Sequence, residues 1–129
     1  MFVRVVTLAG ALFFVVTGGW AFVDPSSFYD QLATFPPYNR HFLHDIGSFE
    51  LALGVALVLA ALGWSGLRVA LWAVAVANVL HAISHIVDSD LGGRSSDPYS
   101  LSIFAALFVA AAVVEELRLA QHDGARAEQ

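Results

Sequence analysis

Hydrophobic and polar residues follow one another along this chain in long blocks. Four blocks of mostly apolar residues occupy positions 2–23, 40–62, 67–87 and 98–119. Each is close to the roughly 20 residues that an α-helix needs to cross the hydrocarbon core of a bilayer. The pattern predicts an all-α integral membrane protein: a four-helix bundle in a single transmembrane domain over residues 1–129, with a flexible tail at residues 120–129.

The segment between the first two blocks has a helical pattern of its own. Asp24 followed by Pro25 is a typical helix start, and the proline pair at 36–37 is a typical stop. Apolar residues recur between them at spacings of four and three: Phe28, Leu32 and Phe35. We predict a short interfacial helix over residues 25–35 that lays one apolar face on the bilayer or over the mouth of the bundle. An ordinary structured connector is the alternative.

Composition agrees with a membrane protein. Of the 129 residues, 58% are hydrophobic and 13% are charged, against roughly 45–50% and about 25% in soluble domains. Cysteine is absent, which excludes disulfides, iron–sulfur clusters and cysteine zinc sites. The basic residues are single arginines and the net charge is −5, so nucleic acid is not an expected partner. The expected partner is the lipid bilayer.

The arginines are distributed unevenly between the two sides of the predicted bundle. Arg4, Arg68, Arg118 and Arg126 lie at one end of the helices, and Arg40 and Arg94 lie at the other. Because arginine is enriched on the cytoplasmic side of membrane helices, this distribution predicts that both termini are cytoplasmic. The prediction is a multi-pass protein of the inner (plasma) membrane.

Polar residues interrupt the third apolar block on one side. At about 100° per residue, Asn78, His81, His85 and Asp88 fall within an arc of roughly 80°. Ionisable groups inside a membrane are costly in contact with lipid and mostly face other helices or a water-filled cavity. This face of the third helix is therefore predicted to point into the bundle.

The second block has a polar face as well. Four of its residues follow helical spacing and project in one direction: His41, His44, Asp45 and Ser48. Glu50 lies off this face and projects near Gly47 and Gly54, a pair of small residues at which a neighbouring helix can approach closely. The face is predicted to lie opposite the polar face of the third helix, since a short turn makes the two helices antiparallel neighbours.

Together these residues predict a pocket between the second and third helices. Glu50 and His81 would lie at a similar depth and form a candidate proton-transfer pair, because an imidazole and a buried carboxyl group exchange protons near neutral pH. The candidate ligand-binding residues around them are His44, Asp45, Asn78, His85 and Asp88. Such a pocket suits a lipophilic ligand, for example a quinone, with a proton-transfer or redox role.

Other functions fit the same residues. The i, i+4 pair His81 and His85 has the spacing of two ligands to one divalent metal, with His44 and Glu50 as candidates to complete the site. Haem held by one histidine from each of two helices is a further alternative. The polar groups could also be structural, or could dock a membrane-protein partner or a second copy of the chain, as in a non-catalytic accessory subunit or assembly factor.

The overall pattern resembles the DoxX-like group of small four-helix bacterial membrane proteins, over most of the chain. The resemblance rests on a first span ending in WAFVDP, an amphipathic connector, a second span opening with RHFLHDIGSFELALG, an arginine after a short turn and a final apolar span. Asp45, Gly47 and Gly54 contribute most to it. It implies a four-helix bundle and, for the namesake members, association with quinone-linked electron transfer. The histidines of HAISHIVD are not part of the resemblance.

Overall fold

Four long helices and one short helix make up the computed structural model, which describes residues 1–63 and 66–127. The helices are α1 (Phe2–Val23), α2 (Pro25–Gln31), α3 (Arg40–Ala61), α4 (Leu67–Val87) and α5 (Asp97–Ala127). All except α2 are long and apolar enough to cross a membrane. The predicted fold class, an all-α bundle with a short helix between the first two spans, is confirmed over the described residues.

The last helix is longer than its apolar block. Helix α5 begins at Asp97 and continues to Ala127, well beyond the predicted end at residue 119. No proline follows Pro98, and the added residues include alanine, glutamine and arginine, which favour helix even when they are exposed. The helix therefore extends about two turns past the apolar segment. Residues 128–129 of the predicted flexible tail lie outside the described residues.

The short helix α2 begins as predicted and ends earlier. The Asp24 carboxylate accepts a hydrogen bond from the backbone N–H of Ser27 at 3.2 Å. The helix stops at Gln31 instead of residue 35. Residues that precede proline are disfavoured in the α conformation, so the chain before the proline pair must leave the helix. The non-helical residues 33–36 become a connector that reaches the loop between α4 and α5.

The long helices pack as two pairs. Helix α1 packs along α3, and α4 packs along α5, whereas α3 and α4 contact each other much less. The link between α3 and α4 includes residues 64–65, which lie outside the described residues. The main partner of α3 is therefore α1, and the polar face of α4 has α5 as its nearest neighbour.

Glycines set the close approach of the first pair. A Cβ atom added at Gly47 would lie 2.8 Å from the carbonyl oxygen of Gly18, and one at Gly54 would lie 2.9 Å from the backbone nitrogen of Val15. Any side chain at these positions would have to push the two backbones apart. The prediction that Gly47 and Gly54 admit a neighbouring helix is confirmed, and that helix is α1.

The two pairs are joined at both ends of the bundle. At the end where α1 begins and α3 ends, here called the terminal end, all four long helices contribute to one apolar core that includes Val3, Leu57, Leu71 and Phe108. At the opposite end, here called the α2 end, the connector performs this role: the backbone N–H of Gly93 donates to the carbonyl of Thr34 at 3.1 Å. The Arg94 guanidinium also donates to the carbonyl of Gln31.

Candidate functional site

The polar residues of the predicted pocket lie in two separate places. Glu50 is on the side of α3 that packs against α1, while His81 is on α4 and contacts His85. Among residues 1–63 and 66–127, no hydrogen bond or ion pair joins Glu50 to His81 or joins α3 to α4. Helix α1 packs on the face of α3 that contains the glycines, and Glu50 lies at this contact with α1.

The two histidines of α4 face each other. Because they are four residues apart, they lie one turn apart on the same side of the helix. Their Nε2 atoms are 3.1 Å apart, and their ring centroids are 4.8 Å apart. A hydrogen bond between two imidazoles needs an N–H on one ring and a lone pair on the other, so at least one ring of this pair is neutral when the bond is made.

A carboxylate from the next helix lies at the far side of His85. The Nδ1 atom of His85 is 3.9 Å from Oδ2 of Asp97, and both side chains are mostly buried, at 17% and 19% exposure. The same Oδ2 atom accepts a hydrogen bond from the backbone N–H of Arg94 at 2.8 Å. The groups therefore lie in the order Asp97, His85, His81. We call these three residues the Asp–His–His array.

The connector closes one side of the Asp–His–His array. The Phe35 ring stands edge-on to the His85 ring, with centroids 5.1 Å apart. Gly93 packs so tightly here that an added Cβ would lie 2.7 Å from the Phe35 ring and 3.0 Å from Oδ2 of Asp97. The φ angle of Gly93 is 77°, in the region that favours glycine. The contact between loop and connector thus fixes the surroundings of His85.

An open cavity of about 520 Å³ lies next to His85, between the end of α4 and the start of α5. Its walls include Ile86, Pro98 and Tyr99, and its polar groups come from His85, Ser89, Arg94, Ser95 and Ser102. Cavities of this size with apolar walls and a few polar groups are typical of small-molecule sites. The cavity brings His85 within reach of a bound ligand.

The remaining predicted residues of α4 lie near the array without extending it. Asn78 is buried, and its Nδ2 donates to the carbonyl of Val74 on the preceding turn at 2.8 Å. Asp88 is the C-cap residue of α4, and its backbone N–H donates to the carbonyl of Ser84. Of the predicted α4 residues, His81 and His85 are therefore the ones whose side chains contact each other.

Except for His44, the polar face of α3 points away from the bundle. The His41 imidazole and the Asp45 carboxylate are 3.7 Å apart, and their side chains are 88% and 53% exposed. Leu43 and Gly47 lie on the opposite, buried side of α3. The His44 ring lies against the Phe22 ring of α1, with centroids 5.2 Å apart. These residues do not join the Asp–His–His array.

Glu50 is a separate feature at the crossing of α1 and α3. Its Oε2 atom is buried and has no hydrogen-bond partner among the described residues. Thr17 lies beside it, but the Thr17 hydroxyl donates to the carbonyl of Phe13 at 2.8 Å. A buried oxygen without a partner typically costs about 1–3 kcal/mol. One of the two carboxyl oxygens of Glu50 therefore has no partner among the described residues, which disfavours a role for Glu50 in holding the helix pair together.

Neither of the predicted cofactor arrangements is assembled among the described residues. No group of three or more histidine, aspartate or glutamate side chains lies close enough to hold a metal ion in residues 1–63 and 66–127. His81 and His85 come together, but His44 and Glu50 lie on α3 against α1. Haem between two helices takes one histidine from each, whereas the two facing imidazoles here belong to one helix.

Two members of the site were missed by the sequence-based prediction. Asp97 was not among the predicted site residues, and Phe35 was predicted only as part of an amphipathic pattern. The short polar loop SDLGGRSSDP could have indicated Asp97, because antiparallel helices joined by a short loop bring the start of the second beside the end of the first. Phe35 and His85 are far apart in the sequence, and no local pattern indicates that they contact each other.

Comparison of the chain with protein-family models, with curated proteins and with solved structures gives no match. The candidate site is thus defined by its own geometry: two imidazoles, one carboxylate, an aromatic ring and an adjacent cavity. That geometry is the basis for the function considered next.

Proposed function

We propose that this protein binds a lipophilic ligand with a hydrogen-bonding head group, such as a quinone, at the α2 end of the α4–α5 pair. The observation on which the proposal rests is the Asp–His–His array beside a cavity with mostly apolar walls. The apolar part of the lining suits a ring or an isoprenoid chain, and His85 is the polar group of the lining that we propose holds the head group.

The order of the array suggests how the head group is held. The Asp97 carboxylate lies 3.9 Å from Nδ1 of His85, which is beyond hydrogen-bond distance but close enough to attract a protonated ring. The Nε2 atom of His85 then faces His81 at 3.1 Å. In the proposed complex a ligand oxygen takes the place of His81 at this nitrogen. His85 gives the ligand a hydrogen bond or a proton through Nε2, and the His81 ring moves aside to admit the ligand.

The proposed location is the inner (plasma) membrane, with both termini cytoplasmic. Arg4, Arg68 and Arg118 lie at the terminal end of the bundle, and the Arg68 guanidinium is 3.5 Å from the Glu116 carboxylate there. Cytoplasmic ends of membrane helices are enriched in arginine. This orientation would put the Asp–His–His array at the level of the outer leaflet.

The resemblance to the DoxX-like group agrees with this proposal. Its namesake members are associated with quinone-linked electron transfer, which involves a ligand of the size and polarity that the cavity suits. The site proposed here uses histidines that are not part of that resemblance. The choice of a quinone as the first ligand to test therefore rests on both the resemblance and the cavity. The proposed position of the site rests on the Asp–His–His array alone.

Binding of a short-chain quinone to the protein in detergent tests the proposal. Replacing His85 with alanine is expected to weaken binding at least tenfold, because a hydrogen bond to a buried polar group is lost. Replacing His81 should have a smaller effect, since the ligand displaces it. His122→Ala is the matched control, because His122 is exposed near the other end of the molecule. Equal affinities in the His85 and His122 variants would contradict the proposal.

A second candidate, a subunit of a membrane complex, is favoured by the outward face of α3. His41 and Asp45 are exposed on a spanning helix, on the side that α1 does not cover. A partner helix could satisfy these groups. If so, a partner should copurify in mild detergent from cells at native expression level and be lost in an Asp45→Ala variant. Identical recovery with both proteins, or recovery of the protein alone, would exclude this role for the face.

A further inference from the structure

A second cavity, of about 400 Å³, lies at the terminal end of the bundle. All four long helices contribute residues to its lining. Its apolar wall is formed by Val3, Ala60, Ala61 and Leu67. It is far from the Asp–His–His array, since its α4 residue is the first of that helix and His85 is in the last turn. The proposed function does not use it.

The charged groups at this cavity favour an anion. Arg4 from α1 and Arg118 from α5 both line it, and Glu115 is the one acidic residue among the described residues that line it. Glu115 is loosely paired with Arg118, at 3.9 Å between Oε2 and Nη1. No ion pair involves Arg4 within residues 1–63 and 66–127. The lining therefore has two guanidinium groups and one carboxylate.

Other groups at the cavity are consistent with this charge. Arg68 follows Leu67 at the start of α4, and its guanidinium is 3.5 Å from the Glu116 carboxylate. The net charge of this pair is therefore close to zero. Helices α1 and α4 begin at the cavity and α3 ends there, so two partial positive charges face one partial negative charge. The hydroxyl of Thr7 is already used, because it donates to the carbonyl of Val3 at 2.8 Å. Arginine is the side chain best suited to phosphate, which it can hold with two parallel hydrogen bonds.

We propose that this cavity is a binding site for a phosphate group, held between Arg4 and Arg118 at the terminal end of the bundle. An anionic phospholipid would place its phosphate there and its acyl chains along the apolar wall. A soluble phosphate compound would use the same two arginines and leave the wall uncovered. Glu115 opposes binding, because it lies beside the anion and competes for Arg118.

Native mass spectrometry of the detergent-solubilised protein tests this site with three probes: phosphatidylglycerol, phosphatidylcholine and inorganic phosphate. Arg4→Gln and Arg118→Gln should each weaken binding of the anionic probe about tenfold, because each loses a charge-assisted hydrogen bond. Arg126→Gln is the matched control, since it removes the same charge from an exposed position on the same side. Preference for phosphatidylglycerol alone identifies a lipid site, and binding of inorganic phosphate identifies a soluble ligand.

Glu115→Gln gives a test in the opposite direction. This variant removes the competing carboxylate and frees Arg118, so it should bind the anionic probe several-fold more tightly than the unmodified protein. Loss of folding cannot produce such a gain. The proposal is overturned if Arg4→Gln and Arg118→Gln bind as the Arg126→Gln control does, if phosphatidylcholine binds equally well, or if Glu115→Gln weakens binding.

Discussion

At the scale of single residues, the contact between α1 and α3 depends on the absence of side-chain atoms. A Cβ atom at Gly18 would lie 2.7 Å from the backbone nitrogen of Leu51, whereas one at Gly19 would meet nothing within 4 Å. Gly18→Ala should therefore lower the free energy of unfolding by about 1–3 kcal/mol. Gly19→Ala should leave it unchanged or raise it slightly, because alanine favours helix. Unfolding in mixed detergent measures both, and equal values would show that the helices are not in close contact.

Glu50 can be tested for a structural role by the sign of its effect on stability. Its Oε2 atom is buried without a hydrogen-bond partner among the described residues. Glu50→Met keeps a similar length and removes the polar atoms, so we expect the free energy of unfolding to rise by about 1 kcal/mol. Glu50→Gln, which keeps a polar end, is the control and should not show this gain. A clear loss of stability in Glu50→Met would instead assign Glu50 to holding the helix pair.

Sequence periodicity predicted the direction of some residues and not others. Gly47 and Gly54 were placed correctly at a close helix contact. Small residues on one face of a membrane helix are typical of positions where a second helix packs closely. The partner of Glu50 was not identifiable, since periodicity gives a direction around a helix and says nothing about which neighbour lies there. His81 and His85 contact each other as neighbours one turn apart, and this local pair was predictable from spacing.

At the scale of elements, the loop between α4 and α5 is expected to control the site through the connector. Gly93→Ala would place a Cβ 2.7 Å from the Phe35 ring, in contact with the groups around His85. Gly63 has a similar φ of 82°, and an added Cβ there would meet none of the described residues within 4 Å, so Gly63→Ala has the same backbone strain without a contact to the described part of the chain. We expect Gly93→Ala alone to weaken quinone binding several-fold and to raise amide hydrogen exchange in residues 33–36.

The same comparison defines the result that would contradict this role of the connector. If Gly93→Ala and Gly63→Ala bind quinone with equal affinity, the backbone strain of a left-handed residue is enough to explain any loss of binding. The contact between Gly93 and Phe35 would then have no role in the site. The starts of the five helices were predictable to within one residue, because long apolar blocks, a capping aspartate and prolines determine them locally. The ends of α2 and α5 were not, since α2 stops at Gln31 and α5 continues to Ala127. The docking of residues 33–36 on the α4–α5 loop joins segments about 60 residues apart, and no local pattern encodes it.

At the scale of the whole molecule, the arginine distribution predicts the orientation in the membrane. The chain has no cysteine, so single cysteines can be introduced without removing any native thiol. Cysteines at Ser26 and Ser95, near the α2 end, should react with a membrane-impermeant maleimide in intact cells. A cysteine at Ala125 should react only after the membrane is permeabilised. The reverse pattern would place the Asp–His–His array on the cytoplasmic side.

The number of helices and their order were predictable, but their pairing was not. Four apolar blocks and short connections require a bundle, whereas the division into α1–α3 and α4–α5 pairs depends on close packing between particular faces. The predicted pocket assumed that α3 and α4, as consecutive helices, would share their polar faces. The glycines of α3 favour α1 instead, and the candidate site is consequently formed by α4, α5 and the connector.

The central claim, that the Asp–His–His array is a ligand site, is tested most directly by locating a photoreactive quinone analogue after irradiation. The label should be found on peptides from residues 81–102, at the cavity beside His85, and excess unlabelled quinone should prevent it. His85→Ala should lose most of this label, while the His122→Ala control keeps it. Labelling concentrated on α1 and α3, or spread evenly over lipid-facing residues and insensitive to His85, would contradict the account.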